Sequence, residues 1–329
     1  MDHFEYKNGV RAAEDVPVSE IAEAVGTPFY CYSSATIERH FRVFSEALSD
    51  VSATVCFAVK ANSNIAVLKI MADMGAGADV VSSGELTRAL KAGMPANKIV
   101  FSGVGKTRDE LAHALSENIL QINVESEPEL HALNEIAGSM SVIAPVAFRI
   151  NPDVDAHTHD KISTGRSEDK FGIEWTRIHD VINRASKLPN IEITGLAVHI
   201  GSQLTELQPF RDAFIRLRDI VAILRADGPV IPRLDLGGGL GIPYDSAETP
   251  SPAEYGKVVS EVLGDVECDL LFEPGRLIVG NAGILVTQIV YVKEGATRRF
   301  LILDAAMNDL MRPSLYDAKH DIVPAIEPI

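Results

Sequence analysis

Cysteine is scarce in this 329-residue chain, which has only Cys31, Cys56 and Cys268. An odd number without framework spacing, and with no Cys-x-x-Cys, excludes a disulfide scaffold and a redox dithiol. Reduced, mostly buried thiols of a cytoplasmic protein are expected instead. Positive charge is also short: 30 Lys and Arg face 46 Asp and Glu, a formal net charge of −16. Proteins that grip phosphate backbones need the opposite balance, so no nucleic-acid partner is expected. Long apolar runs are missing as well. The most apolar late stretch, GILVTQIVYV (283–292), is interrupted by Thr287 and Gln288. It falls well short of the roughly 20 residues that span a bilayer, so no membrane partner is expected. The opening MDHFEYKNG carries acids and lacks the apolar centre of a secretory leader. What remains is 46% hydrophobic and 23% charged, with a mean hydropathy of +0.09. That is the make-up of a globular protein long enough for one large core and a smaller appended domain.

From residue 54 onward one unit recurs: a short β-branched or aliphatic run, a helical pattern, then a Gly, Pro or Asn stop. The runs are TVCFAVK (54–60), ADVV (78–81), KIVFSG (98–103), LQINVES (120–126), APVAFRIN (144–151), ITGLAVHIGS (193–202), RLDLGGG (233–239) and DLLFEPG (269–275). Strands alternating with helices imply a parallel sheet, and eight of them imply a closed (β/α)8 TIM barrel. The competing arrangement, an open doubly wound sheet, calls for a Gly-rich dinucleotide turn after the first strand, where this chain has KANSN. SSATIERHFRVFSEAL (33–48) reads as a capped helix leading into the barrel. After residue 276 strand patterns follow one another with no helix between them. The expected division is therefore a barrel over 27–276 and an antiparallel β domain beginning at about 277, to which residues 1–26 contribute.

Barrels of this kind carry their chemistry at the C-terminal ends of the strands, and a phosphate site often follows strands seven and eight. That rule selects Lys60, Asp79, Arg149, His199, the Gly237–Gly239 triplet, and the segment from Glu273 to Arg276. Lys60 closes the apolar run CFAVK, so burial is expected to lower its pKa and free a neutral amine to attack an aldehyde. The alternative is a lysine whose ammonium reaches solvent. LDLGGGLG offers side-chain-free amides for an anion, or simply a tight turn. Glu273 is costly to bury alone and would pair with a protonated ring nitrogen or with Arg276. Arg276 can also bind a phosphate or carboxylate in bidentate fashion. His199 is either a core histidine or a ring lying against an aromatic cofactor. His157-Thr158-His159-Asp160 has the look of a metal cluster but falls in a polar loop, and no metal is expected.

FAVKAN, HIGSQ, LGGGLGIPY, FEPGR and DAAMNDLMRPSLYDA, in this order, resemble the diaminopimelate decarboxylase family. That family belongs to the alanine-racemase-like class of enzymes that use pyridoxal 5'-phosphate (PLP). The resemblance covers nearly the whole chain, and the MNDLMRPSLYDA segment favours diaminopimelate over the substrates of the ornithine and arginine decarboxylases. It implies decarboxylation of meso-2,6-diaminopimelate to L-lysine by a homodimer whose active sites lie at the subunit interface. Lys60 would carry the cofactor and His199 would stack on its ring. Glu273 would pair with the ring nitrogen. Ser202, Gly237, Gly238, Gly239, Gly275 and Arg276 would surround the phosphate. Arg276, Arg312 and Tyr316 would hold substrate carboxylates, and Asp79 and Arg149 would support the pocket.

The chain departs from the family in one respect. The family's Cys-Glu-Ser-Gly-Asp segment and a later tyrosine lie beyond PAIEPI, where this sequence stops, so the second domain is expected to be incomplete. Two further readings stay open: a catalytically silent PLP-binding homologue, and a decarboxylase of another basic amino acid.

Overall fold

A computed structural model of the chain describes residues 2–155, 170–228, 230–244 and 248–328. It divides into two compact units. The larger unit, His40–Ile242 with Glu248–Ile278, holds the barrel. The smaller collects Met1–Arg39, Pro243–Ala247 and Val279–Ile329.

The chain opens with a meander, β1 (Phe4–Lys7), β2 (Val10–Ala13) and β3 (Val16–Pro17), followed by α1 (Val18–Val25). Residues near the other end join this meander: Arg11 N donates to Ala325 O at 2.8 Å and Glu327 N to Gly9 O at 2.9 Å. Next come β4 (Phe29–Tyr32) and α2 (Ser34–Glu46), the helix expected over 33–48.

Eight strands then alternate with helices as the sequence predicts: β5 (Ala53–Ala58), β6 (Gly77–Val80), β7 (Ile99–Phe101), β8 (Gln121–Val124) and β9 (Ala144–Asn151) come first. After β9 a two-residue strand, β10 (Ile173–Glu174), pairs along its C-terminal end. β11 (Ile191–Val198), β12 (Arg233–Asp235) and β13 (Asp269–Phe272) complete the set. All pairings are parallel, β13 returns to β5, and β8 pairs with β9, so the sheet closes. The TIM-barrel expectation is met.

The strands read as unbroken apolar runs because both faces are covered. Val55 to Ala58 of β5 are all buried, and Cys56, Val100 and Leu271 form an apolar cluster against which Leu120 packs. Outside lie α3 (Ile65–Asp73), α4 (Ser83–Lys91), α5 (Arg108–Ser116), α6 (Glu127–Met140), α7 (Ile178–Ala185), α8 (Gln208–Ala226) and α9 (Pro252–Leu263). Five of them start at a side-chain cap that satisfies an orphan amide: Asn64, Ser82, Thr107, Ser126 and Ser251.

Two local expectations fail. Lys60 does not end its strand but sits in a single 3-10 turn, Val59–Ala61, which carries it past β5. The apolar LIV after Arg276, read as strand, forms the short helix α10 (Arg276–Val279), because Ile278 N turns back to Gly275 O at 3.0 Å. Beyond it β14 (Gly283–Val286) pairs antiparallel with β4, and β15 (Ile289–Glu294) pairs antiparallel with β16 (Arg299–Leu303). α11 (Arg312–Tyr316) follows. Among the described residues, no helix is long and apolar enough to cross a membrane.

Candidate active site

One mouth of the barrel gathers the polar side chains. Lys60 Nζ lies 2.6 Å from Asp79 Oδ2, which joins the turn after β5 to β6. Although 47% of the Lys60 side chain is reached by solvent, the barrel wall crowds its ammonium, while Asp79 is fully buried. Burial alone works to lower the lysine pKa, as the sequence suggested. Asp79, by its charge and its hydrogen bond, leads the groups that outweigh it, and the net shift is upward. The expectation of a depressed pKa is therefore corrected: the strand beside Lys60, not the apolar residues flanking it, sets its charge. The other Asp79 oxygen, Oδ1, has no hydrogen-bond partner among the described residues.

His199 follows β11. Its Nδ1 accepts the Gly238 amide at 3.2 Å, which leaves the proton of a neutral ring on Nε2. Desolvation first, then the charges of Arg149 and Lys60, push its pKa well below the ordinary value. The imidazole is neutral and its tautomer fixed.

The glycine triplet after β12 is more than an open turn. A Cβ on Gly237 would lie 2.5 Å from Val198 O, on Gly238 2.2 Å from Glu273 O, and on Gly239 2.5 Å from Gly201 O. Gly237 and Gly239 also have positive φ, 66° and 114°. The turn threads between the ends of β11 and β13 with no room for a side chain. Its first amide donates to Asp235 Oδ1 at 3.1 Å and its second to His199. Those two amides are thus engaged within the protein, which leaves the Gly239 end of the turn for an anion. Nearby, Arg276 Nη2 donates to Ser202 Oγ at 3.3 Å. Gly275 has Ala61 and Ala58 close by, at 3.0 and 3.2 Å from a Cβ built on it.

Glu273 lies just past β13 and is 7% exposed. Asp235 of β12 is among the groups close enough to act on its charge. Ser102 Oγ also approaches Glu273 Oε1 at 3.4 Å. Burial, then the charges of Asp235 and Asp79, drive the Glu273 pKa well above its usual range. Arg149 of β9 donates to Glu125 Oε1 at 3.0 Å, and Glu125 also accepts the amides of Gly103 (2.9 Å) and Gly172 (3.1 Å).

Arg312 and Tyr316 belong to the smaller unit. The Arg312 guanidinium lies 5.4 Å from the Tyr316 ring and 5.5 Å from that of Tyr244. Its Nε has no hydrogen-bond partner among the described residues. His157 and His159 lie outside the described residues. Among those described, no group of His, Cys, Asp and Glu could hold a metal ion. A cavity of about 630 Å³ lined by Asp153, Trp175, Arg216 and Ile223 lies elsewhere and shares none of the residues above.

The sequence reading missed Gln121, Asn123, Glu125 and Asp235. A signal was present: in LQINVES, polar Gln121, Asn123 and Glu125 alternate with Ile122 and Val124 on a strand that should be apolar on both faces.

A basic amine, a neutral imidazole, a buried carboxyl of raised pKa and an arginine–serine pair at one barrel mouth suit a planar heteroaromatic aldehyde with an anionic tail. The comparisons agree. Residues 34–280 match the family described as pyridoxal-dependent decarboxylase, pyridoxal binding domain. The chain is 51% identical to the diaminopimelate decarboxylase of Haemophilus influenzae over 98% of its own length and 78% of that protein's. A crystal structure of diaminopimelate decarboxylase from Helicobacter pylori complexed with L-lysine superposes with a TM-score of 0.89 at 42% identity, covering 92% of this chain and 76% of that one. One from M. jannaschii superposes at 0.93 and 36% identity, covering 98% and 78%. On the extent of the family match and the identity to these relatives, the chain belongs to the pyridoxal-dependent decarboxylases.

Proposed function

We propose that this protein is a diaminopimelate decarboxylase, converting meso-2,6-diaminopimelate to L-lysine and CO2 with PLP. The observation that carries the reading is the meeting of Lys60, Asp79, His199 and Glu273 at one barrel mouth, in a chain half identical to diaminopimelate decarboxylases. The cofactor fits these residues. Asp79 Oδ1 is a buried polar atom without a partner among the described residues, and Glu273 is a buried carboxyl whose pKa burial drives upward.

When bound, PLP supplies an electron sink for the pair left behind as the carboxylate departs. The side chains serve it as follows. Lys60 provides the amine that anchors the aldehyde, and Asp79 holds that amine in place. His199, neutral and pinned by Gly238, would lie against the ring without adding charge, and Glu273 would pair with the ring nitrogen. Ser202, Gly275, Arg276 and the Gly237–Gly239 turn take the phosphate, with Gly239 the triplet's available amide. Arg149, braced by Glu125, supports the pocket. Arg276, Arg312 and Tyr316 hold substrate carboxylates; a guanidinium matches a carboxylate's geometry and charge. The active form is a homodimer in the cytoplasm, as the resemblance and the cysteine usage suggest.

The test is CO2 and L-lysine release from meso-2,6-diaminopimelate by the PLP-loaded protein, beside L-lysine, L-ornithine and L-arginine as substrates. Turnover of diaminopimelate well above the other three is expected. Faster release from any of the three would make it a sister decarboxylase. PLP binding without release from any of the four would make it a silent homologue.

A further inference from the structure

Asp235 has no part in the scheme above, yet it is a buried acid acting on Glu273, 1% exposed on β12 beside the buried Leu234. Asn123 Nδ2 and Ser102 Oγ link the two side chains, and two buried carboxyl groups acting on each other's charge do not both ionise readily, so one keeps its proton. A chain of side chains across the barrel interior decides which one.

The chain starts at Arg233, which can only donate. Its Nη1 gives a hydrogen to Gln121 Oε1 at 2.9 Å, so the amide nitrogen of Gln121 must face the other way. That nitrogen donates to Asn123 Oδ1 at 2.8 Å, which fixes the Asn123 amide in turn. Asn123 Nδ2 then donates to Asp235 Oδ2 at 2.8 Å and to Ser102 Oγ at 3.0 Å. Asp235 Oδ1 takes the Gly237 amide at 3.1 Å. Two donors converge on Asp235, one on each of its oxygens, so both oxygens accept and Asp235 is the member better held as an anion. Ser102, having accepted from Asn123, is left to donate to Glu273 at 3.4 Å, a long and weak bond. Glu273, with that one weak donor, is the member left to keep a proton.

We propose that Asp235 is a positioning residue that keeps one proton stored on Glu273, and that this is the proton Glu273 delivers to the ring nitrogen of PLP. The step needs no other reagent. The Glu273 O–H bond breaks, an N–H bond forms on the ring, the ring gains one positive charge and Glu273 becomes a carboxylate facing it. The inference rests on the assignment of Glu273 to the ring nitrogen made above.

Other ionisable groups that act on the pair include Asp79 on β6, Cys56 on β5, Lys60 after β5 and Arg233 on β12, with Tyr255 of α9 near Asp235. Asp79 reinforces retention of the Glu273 proton and Lys60 opposes it. The pKa of Glu273 is raised, so the folded protein binds a proton that the unfolded chain releases near 4.5. Stability of the PLP-free protein from this group therefore falls as pH rises from the unfolded value through the folded one.

Infrared difference spectroscopy on the PLP-free protein at neutral pH reads the stored proton as the carbonyl stretch of a protonated carboxyl. One such band is expected in the wild type, absent in Glu273→Gln, and lost from the wild type when PLP is added. In Asp235→Asn the band should titrate at a pH lower by about one unit or more, since the neighbouring anion is gone. A wild-type protein without the band overturns the proposal, as does a band that survives Glu273→Gln or persists after PLP binds. If Asp235→Asn fails to fold, the wild type and Glu273→Gln still decide. A present band in a protein that does not decarboxylate diaminopimelate would sink the assigned activity and leave proton storage standing.

Discussion

A methyl group placed on Gly238 would meet the carbonyl oxygen of Glu273 at 2.2 Å, closer than real side-chain carbons come to backbone. Relief requires β13 and the turn after β12 to part, at a cost of about 1–3 kcal/mol. Gly238→Ala should therefore lower the urea midpoint of the PLP-free protein. Unchanged stability with weakened PLP binding would instead assign the glycine wholly to the phosphate. The triplet was conspicuous in the sequence, but its packing role was not, because that role depends on Val198 and Gly201 before it and Glu273 after it. Lys60 shows the same limit. Its position was legible, yet its charge depends on Asp79, 19 residues away. Asp235 escaped notice because a single acid in RLDLGGG looks unremarkable until Asn123 is beside it.

The helices were legible because their boundaries are chemical. Ser251 accepts from Glu254 N at 3.3 Å while Glu254 Oε2 accepts Ser251 N at 2.8 Å, and Pro252 occupies the first turn where an amide is not needed. α9 carries Tyr255, whose ring packs edge-on against Phe272 at the end of β13 with centroids 6.2 Å apart. Ser251→Ala should cost about 1 kcal/mol, read as a shift in urea midpoint without a change in slope. A loss well under that would mean the cap is frayed in solution. The strands were legible for the complementary reason, since both faces of a parallel barrel strand are covered. What could not be read locally were the 3-10 turn at Val59–Ala61 and α10, where apolar, β-branched residues mimic strand and tertiary contacts choose otherwise.

At the scale of the whole molecule, closure of the sheet turns eight separate strand ends into one site. Lys60, Asp79, Ser102, Asn123, Arg149, His199, Asp235 and Glu273 come from eight different strands or the turns just after them. The repeat itself was visible in the sequence. The polar layer it encloses was visible only in part, because residues from opposite walls meet only once the barrel closes. The surplus of acid, a net charge of −16, stands apart from this site chemistry and serves solubility. The account turns on Lys60 as the amine that anchors the cofactor. The most direct measurement is borohydride reduction of the protein after incubation with PLP, followed by peptide mass mapping. The account predicts a single phosphopyridoxyl group on Lys60. Its appearance on any other lysine, or on none, would contradict it.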